Sequence, residues 1–303
     1  MEHWLVATLW RVATAAGILL AGLVYLRGWR RMQSIHVSPP ARTDPASGRS
    51  FRLFITGLVL LVLALVFPLG FLSTQYFSAR IVQHMLIVAS IPSLLLLANP
   101  LPAIVLGLPQ RWQIRLAQKP QRAGRPGPAR RFGHWATAPG VTLLAFLCTC
   151  WFWYDPLFNA ATLRYSVIHI VELLSLFTLG LLNWWHITGA WPQAHGTMKP
   201  ALRVLYAFVG IWPVKLIGLA LLFADRQIYE FPATFQFSGL QINDTSFGAM
   251  IAWIVSGLAY AVAVISLAQY WLGPEGDKPA LPESLWGTEE TMLAPGMKRE
   301  VLP

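Results

Sequence analysis

The stretch HIVELLSLFTLGLLNWW, residues 169–185, decides the fold class of this chain. It holds a single carboxylate, Glu172, and lies in a hydrophobic run that extends over about residues 165–187. A run of about 20 apolar residues has the length of a membrane-spanning helix. A helix satisfies all the backbone hydrogen bonds of such a segment in lipid, so the stretch predicts a transmembrane helix.

Further hydrophobic runs extend this prediction to most of the chain. With 303 residues, of which 55% are hydrophobic and 12% are charged, the sequence is too apolar for a soluble domain of this length. We therefore predict an all-α polytopic membrane protein with seven transmembrane helices. The predicted helices cover residues 4–26, 52–72, 80–99, 139–155, 165–187, 201–224 and 246–272. Residues 1–272 form the predicted transmembrane domain, and residues 273–303 a flexible cytoplasmic tail.

The distribution of basic residues predicts the orientation of these helices. The loop 27–52 holds six arginines, and the loop 100–138 holds seven lysines and arginines. The loops on the opposite side carry only Arg80, Arg164 and Arg226. Cytoplasmic loops are enriched in Lys and Arg, so the amino terminus is predicted to lie outside and the carboxyl terminus in the cytoplasm. The net charge of +10 thus indicates topology and contact with anionic lipids, and nucleic-acid binding is not expected.

Three connecting segments have distinct compositions. Residues 36–50 and 118–138 are rich in Pro, Arg and small polar residues, which predicts flexible or lipid-associated loops. Residues 225–245 are aromatic and amphipathic. This third segment is predicted to fold back over the outer mouth of the bundle as a lid or a re-entrant segment.

Ionisable side chains inside or against the apolar runs are the candidate functional residues, because a charge in lipid is costly and usually marks a site. The predicted topology sends six of them toward the outer face. They are His84, Asp155, His169, Glu172, Asp225 and Asp244. The i, i+3 spacing of His169 and Glu172 places both side chains on one face of a helix, at a depth similar to that of His84.

Three interpretations of this group remain open from the residues alone. Two imidazoles and a carboxylate at one level could hold copper or another divalent ion. The same groups could instead be polar contacts between helices, with Glu172 paired to Arg11 or His169, or they could form part of a proton path. Lys215, inside the sixth predicted helix, is expected to form an ion pair with Glu172, to contact a backbone carbonyl or to serve an anionic ligand.

Four short motifs resemble the CtaG-like cytochrome c oxidase assembly proteins of bacteria, over residues 50 to 272. RIVQH retains Gln83 and His84, and an apolar helix with Pro follows it. WYDPLFNAA retains Trp153, Pro156, Phe158 and Asn159. HIVELL retains His169 and Glu172, and DTSFGAMIAWIVSG retains Asp244 and Trp253. The four motifs occur in the family's order and on the corresponding predicted helices.

The chain departs from the family pattern at positions that usually carry histidine or glutamine. Arg80, Tyr154 and Leu173 stand where the family usually has histidine, and Thr245 and Ser246 stand where it has glutamine. A copper site built on those histidines would retain two of five. The family resemblance is therefore better supported by the sequence than metal binding is.

The resemblance implies a role in assembling a haem–copper cytochrome c oxidase in a bacterial cytoplasmic membrane, with help in copper insertion. His84 and His169 would bind the ion, with Glu172 and Asp244 as partners or weak ligands. The expected partners are oxidase subunits, an extracytoplasmic copper donor and membrane lipids, and no enzymatic turnover is expected. Two alternatives are a structural accessory subunit of a respiratory complex that binds no metal, and a permease for metal or small solutes.

Overall fold

The structure is a computed structural model that describes most of the chain. The described residues are 2–35, 45–117, 127–190, 192, 195–196, 198–223, 228–231, 234–237 and 240–272. Asp225 and the predicted tail 273–303 lie outside them. The described residues are almost entirely helical, with one small antiparallel hairpin, so the predicted fold class is confirmed.

The helices and strands follow one another along the chain with short connections. The α-helices are α1 (Glu2–Ile35), α2 (Gly48–Leu65), α3 (Leu69–Leu72), α4 (Phe77–Met85), α5 (Ile91–Leu97), α6 (Leu101–Gly107), α7 (Gln110–Ala117), α8 (Pro128–Ala136), α9 (Pro139–Tyr154), α10 (Pro156–Arg164), α11 (Ser166–Thr188), α12 (Pro200–Gly210), α13 (Trp212–Leu222) and α14 (Asp244–Leu272). A π-helical turn, Leu86–Ser90, joins α4 to α5. The hairpin consists of β1 (Thr234–Phe237) and β2 (Leu240–Asn243), in the register Thr234 opposite Asn243.

Six helical segments of the described chain are long and apolar enough to cross a membrane, and there are seven if a bent pair of helices counts as one span. The six are Leu5–Ser34, Gly48–Leu72, Phe77–Leu97, Ser166–Thr188, Pro200–Leu222 and Asp244–Gln269. The bent pair joins α8 to α9 at an angle of 64°. This corresponds to the predicted span 139–155, whose helix α9 has only 16 residues. Which terminus faces the cytoplasm stays a prediction, and we call the end where α4, α11 and α14 begin the outer end after the predicted topology.

Two sequence predictions need correction. The segment 118–138 is predicted to be a flexible or lipid-associated loop, but its part Pro128–Ala136 is helical, and Pro128 at the first turn suits a helix start. Arg80 was counted among the loop charges, but it lies in α4 and is only 1% exposed. The remaining outer-loop charges are thus fewer than predicted, which leaves the positive-inside pattern unchanged in sign.

Side chains from neighbouring helices satisfy carbonyls that lack a helical donor at a helix end or before a proline. The Ala64 carbonyl lies in the last turn of α2, and Gln83 Nε2 donates to it at 2.7 Å. Proline has no amide hydrogen, so in a regular helix the carbonyl four residues earlier loses its donor. Pro92 follows Val88, and Trp184 Nε1 donates to the Val88 carbonyl at 3.0 Å. These bonds tie α4 to α2 and α11 to the π-helical turn.

Backbone contact between α1 and α6 sets the position of the first helix. A Cβ atom added at Gly28 would lie 1.6 Å from the Ala103 carbonyl oxygen, and one added at Gly107 would lie 1.9 Å from the Val24 carbonyl oxygen. Glycine at both positions lets the two helices touch through their backbones, as small residues do in membrane proteins. Arg31 Nη1 closes the same contact by donating to the Leu106 carbonyl at 2.8 Å.

The substitution Gly28→Ala is expected to destabilise the protein. The new methyl group overlaps backbone that cannot move alone, and overpacking of this kind costs about 1–3 kcal/mol. Gly17→Ala is the matched control, because Gly17 is in the same helix and a Cβ there meets no atom within 4 Å. Thermal unfolding in detergent should show a lower midpoint for Gly28→Ala and an equal or higher one for Gly17→Ala. Equal midpoints for the two variants would contradict the α1–α6 contact.

Candidate functional site

A buried ion pair lies at the centre of the candidate site. The Arg80 Nη2 atom of α4 donates to both carboxylate oxygens of Glu172 of α11, at 2.8 and 2.6 Å. Arg80 is 1% exposed and Glu172 is 0% exposed. Removing one partner of such a pair in a low-dielectric interior is strongly destabilising, because the other charge is left buried without its counter-charge.

Both predicted histidines contact the same carboxylate from different sides. His169 Nδ1 lies 2.9 Å from Glu172 Oε2, across the i, i+3 spacing predicted from the sequence. His84 Nε2 lies 3.5 Å from Glu172 Oε1, outside good hydrogen-bond geometry. The structure therefore brings together three of the four predicted metal residues. We call Arg80, His84, His169, Glu172 and Thr162 the outer polar site.

Helix α10 contributes the fifth member of the outer polar site. The Thr162 hydroxyl accepts a hydrogen bond from Arg80 Nη2 and donates to the Asn159 carbonyl at 2.6 Å. The start of α10 is fixed by Asp155, whose carboxylate accepts from the Leu157 amide at 3.0 Å. Asp155, a predicted candidate residue, is thus a helix cap at the surface.

Asp244 lies apart from the outer polar site, at the start of α4. Its carboxylate oxygens accept from the backbone amides of Phe77 and Ser78, at 2.6 and 3.0 Å. Tyr76, the residue before α4, makes no side-chain cap, so a carboxylate from α14 satisfies the free amides of this helix start. A negative charge is also favoured there by the helix dipole. Asp244 thereby fixes where α4 begins, and with it the positions of Arg80 and His84.

Aromatic side chains close the site at the outer end. Phe77 stacks on Tyr229 with ring centroids 4.7 Å apart and meets the Phe231 ring edge-on at 5.7 Å. The Tyr229 hydroxyl donates to the Tyr154 carbonyl at 2.7 Å, and Arg80 lies 6.0 Å from the Phe231 ring centroid. The described part of segment 225–245 thus covers the site with Tyr229 and Phe231. It continues as a hairpin, with no re-entrant helix among its described residues.

Two positions where the sequence departs from the family pattern fall on this site. Arg80 forms the ion pair, and the Tyr154 hydroxyl lies 3.2 Å from His84 Nδ1, with the two rings edge to face. The third, Leu173, lines a cavity of about 80 Å³ together with Gln83, His169 and Arg11. A cavity of this size has room for a few water molecules. Two members of the outer polar site, His169 and Thr162, line this cavity, and His169 is 14% exposed.

Sequence reasoning missed Arg80 because the predicted helix began at residue 80. The spacing did contain the signal: Arg80 and His84 are four residues apart, which places them on one helix face, toward the same neighbour. Of the two partners suggested for Glu172, His169 contacts it, whereas Arg11 donates from Nη2 to the Gly70 carbonyl at 2.8 Å. Of the contacts suggested for Lys215, the one with a backbone carbonyl is found, since Nζ donates to the Trp253 carbonyl at 3.0 Å, and the favoured ion pair with Glu172 was wrong.

A second group of histidines lies at the opposite end of the bundle. The rings of His134 and His195 have centroids 4.2 Å apart, and that of His186 lies 6.0 Å from His195. The His186 ring contacts the Thr137 carbonyl at 3.0 Å, and His195 contacts the Thr137 hydroxyl at 2.9 Å. Partial burial, and then the neighbouring His134, lower the pKa of His195. These imidazoles therefore tie the residues before α9 to the end of α11.

The donor groups of the described chain do not form a metal site as they stand. Within that part of the chain, no group of three or more His, Cys, Asp or Glu side chains is arranged to hold a metal ion. In the outer polar site both Glu172 oxygens are already engaged by Arg80, and Asp244 is engaged by backbone amides. A cation added beside the buried guanidinium would also add positive charge without a new carboxylate.

The comparison with protein families connects this geometry to a known group. The family model described as cytochrome c oxidase caa3 assembly factor matches residues 23–273. The match covers α2 to α14, including every residue of the outer polar site. The chain belongs to this family. The resemblance predicted from the four motifs is thereby confirmed, while searches of curated proteins and of solved structures each gave no significant match.

Removing one partner of the buried ion pair is expected to destabilise this family member strongly. Arg80→Met leaves Glu172 as a buried carboxylate without its main counter-charge, at a cost of about 3–5 kcal/mol. The double variant Arg80→Met with Glu172→Gln removes both charges, so it should lose less stability than the sum of the two single variants. Thermal unfolding of the four proteins in detergent measures this coupling. Additive losses would show that the two side chains do not interact.

Because Asp244 caps α4 inside the protein, replacing it should cost more stability than replacing Asp155, which caps α10 at the surface. Asp244→Ala leaves two buried amides without an acceptor and should cost about 2 kcal/mol. Asp155→Ala is the matched control, because Asp155 also caps a helix but is exposed and accepts from one amide that water can reach, so its loss should cost only about 0.5–1 kcal/mol. The measurement is again the unfolding midpoint, with Asp244→Asn expected in between because one acceptor oxygen remains. A larger loss for Asp155→Ala would contradict the assigned roles.

Proposed function

We propose that this chain helps to assemble a haem–copper cytochrome c oxidase in a bacterial cytoplasmic membrane by holding an oxidase subunit at the outer end of its bundle. The observation that carries the proposal is the family match over residues 23–273. The closed outer polar site supports a holding role, because its ion pair and aromatic cover make this end of the bundle rigid. The segment that contains Tyr229 and Phe231 would meet the client from outside.

Copper enters this proposal as cargo that a separate extracytoplasmic donor delivers. The earlier prediction has His84 and His169 bind the ion, with Glu172 and Asp244 as partners. In its favour, His84 Nε2 is buried and has no hydrogen-bond partner among the described residues. Against it, Arg80 already compensates Glu172, and Asp244 caps α4. We therefore propose that the chain supports copper insertion by positioning the oxidase subunit, without ligating copper through these four residues.

The alternative of a permease finds less support in the described part of the chain. A permease needs a polar path from the outer polar site to the opposite face. One turn deeper than Glu172 on the same face of α11 stands Leu176, which is 1% exposed, and Met85 and Phe146 are buried in the same apolar cluster. The polar groups at the outer end are thus separated from the inner end by packed apolar side chains.

Deletion of the gene in the bacterium that carries it tests the assembly role. Membranes of the deletion strain are expected to lose most of their assembled oxidase, measured by haem absorption and by oxygen consumption with reduced cytochrome c. Wild-type protein supplied in trans should restore both signals. An unchanged oxidase content in the deletion strain would overturn the proposed function.

Copper analysis of the proteins expressed in the deletion strain tests whether His84, His169, Glu172 and Asp244 bind the metal. His84→Asn with His169→Asn keeps a polar atom near each Nδ1 position but removes both imidazoles. Wild type and this double variant are expected to carry equally little copper and to restore the oxidase to similar levels. Stoichiometric copper in the wild type that the double variant lacks would show that the site ligates the metal.

A further inference from the structure

The ammonium group of Lys215 lies on the lateral surface of the bundle, deep within its membrane-spanning part. Lys215 of α13 donates from Nζ to the Trp253 carbonyl of α14 at 3.0 Å, and Nζ lies 3.9 Å from the Trp253 ring centroid. A Cβ added at Gly257 would lie 2.7 Å from Nζ, so glycine is what gives the ammonium its space. The charge thus sits at the level between Trp253 and Gly257.

The depth of this charge follows from helix geometry. Helix α14 begins at Asp244, and at 1.5 Å per residue Trp253 and Gly257 lie about 14 and 20 Å below its start. With the start of α14 taken as the outer boundary of a hydrocarbon core about 30 Å thick, the ammonium lies near the middle of that core. Lys215 extends toward the deeper residue Gly257, so it does not reach up to the headgroups as lysines near helix ends do.

The charge has no acidic partner in this part of the chain. No described carboxylate forms a salt bridge with Lys215. Its partners are one backbone carbonyl and the face of one ring, and these use only part of the capacity of three N–H donors. An intramembrane charge in such surroundings is costly and marks a functional contact.

The surface beside Lys215 forms a shallow groove that is widely open to its surroundings. A groove of about 430 Å³ is lined by Lys215, Trp253, Ile254, Gly257, Leu258 and Ala261. Gly257 and Ala261 are four residues apart, which is the spacing of small residues that lets a second transmembrane helix approach closely. Ile254 and Leu258 are 46% and 63% exposed on the same face.

We propose that this groove binds a transmembrane helix of the oxidase subunit being assembled, through an Asp or Glu side chain of that helix that pairs with Lys215. The proposal deepens the proposed function and rests on it for the identity of the partner. Charge complementarity indicates which partner fits the groove. A carboxylate on the partner helix compensates the Lys215 ammonium, and the groove shields that helix segment from lipid.

Two other occupants fit the groove less well. A lipid phosphate lies about 15 Å from the bilayer middle, too far from an ammonium at this depth. A second copy of this chain offers no free acid in the described spans, because Glu172 and Asp244 are both 0% exposed and engaged. A two-fold dimer through this face would also place two lysines opposite each other.

Photo-crosslinking in native membranes tests the proposal. A photoreactive residue replaces Leu258 in the full-length chain, and the same replacement at Val171, exposed on α11, is the control position. The expected adduct at 258 is a transmembrane peptide of an oxidase subunit that carries Asp or Glu within one turn of the linked residue. Lys215→Met should lower its yield about tenfold, the size expected for one polar contact between membrane helices, and Lys215→Arg should keep it.

Adducts with lipid only, adducts with a second copy of the chain, or a yield unchanged by Lys215→Met would each overturn the docking proposal. Equal amounts of the three proteins in the membrane and unfolding midpoints no lower than that of the wild type confirm that the variants fold. The oxidase content of the deletion strain separates this outcome from the function itself. If the strain lacks oxidase while the crosslink is insensitive to Lys215, the docking site is wrong and the assembly role stands.

Discussion

The ion pair between Arg80 and Glu172 is the interaction on which the outer half of this bundle depends. It joins α4 to α11, and the Thr162 hydroxyl on the same guanidinium nitrogen adds α10. Each of these groups would be costly in lipid alone, and each is acceptable because the others compensate it. The pair also determines what the neighbouring imidazoles can do, since His84 and His169 meet a carboxylate that already has its cation.

Several other polar groups of the described spans follow the same rule of mutual compensation. The Ala64 and Val88 carbonyls accept from Gln83 and Trp184, and the free amides at the start of α4 donate to Asp244. In each case a side chain on one helix satisfies the backbone of another, so the bond fixes the register between the two. Lys215 differs because no described carboxylate pairs with it, and this is why its surroundings suggest a partner outside the chain.

The sequence predicts the spans well and the contacts between them poorly. Hydrophobic length and composition locate each membrane helix, and the i, i+3 spacing places His169 beside Glu172. The partner of Glu172 depends on where α4 begins, and that start is set by Asp244, 167 residues away along the chain. No local pattern contains that information, so Arg80 was assigned to a loop and Asp244 to the metal group. The contact of Lys215 with Trp253 likewise depends on how α13 packs on α14.

The central claim is that the guanidinium of Arg80 occupies the place of a cation among His84, His169 and Glu172. The most direct test is an experimental structure of the protein prepared with excess Cu(I), with anomalous diffraction recorded at the copper edge. The account predicts continuous density between Arg80 and Glu172 and no anomalous peak within bonding distance of either imidazole. An anomalous peak between His84 and His169, with the Arg80 side chain turned away from Glu172, would contradict it.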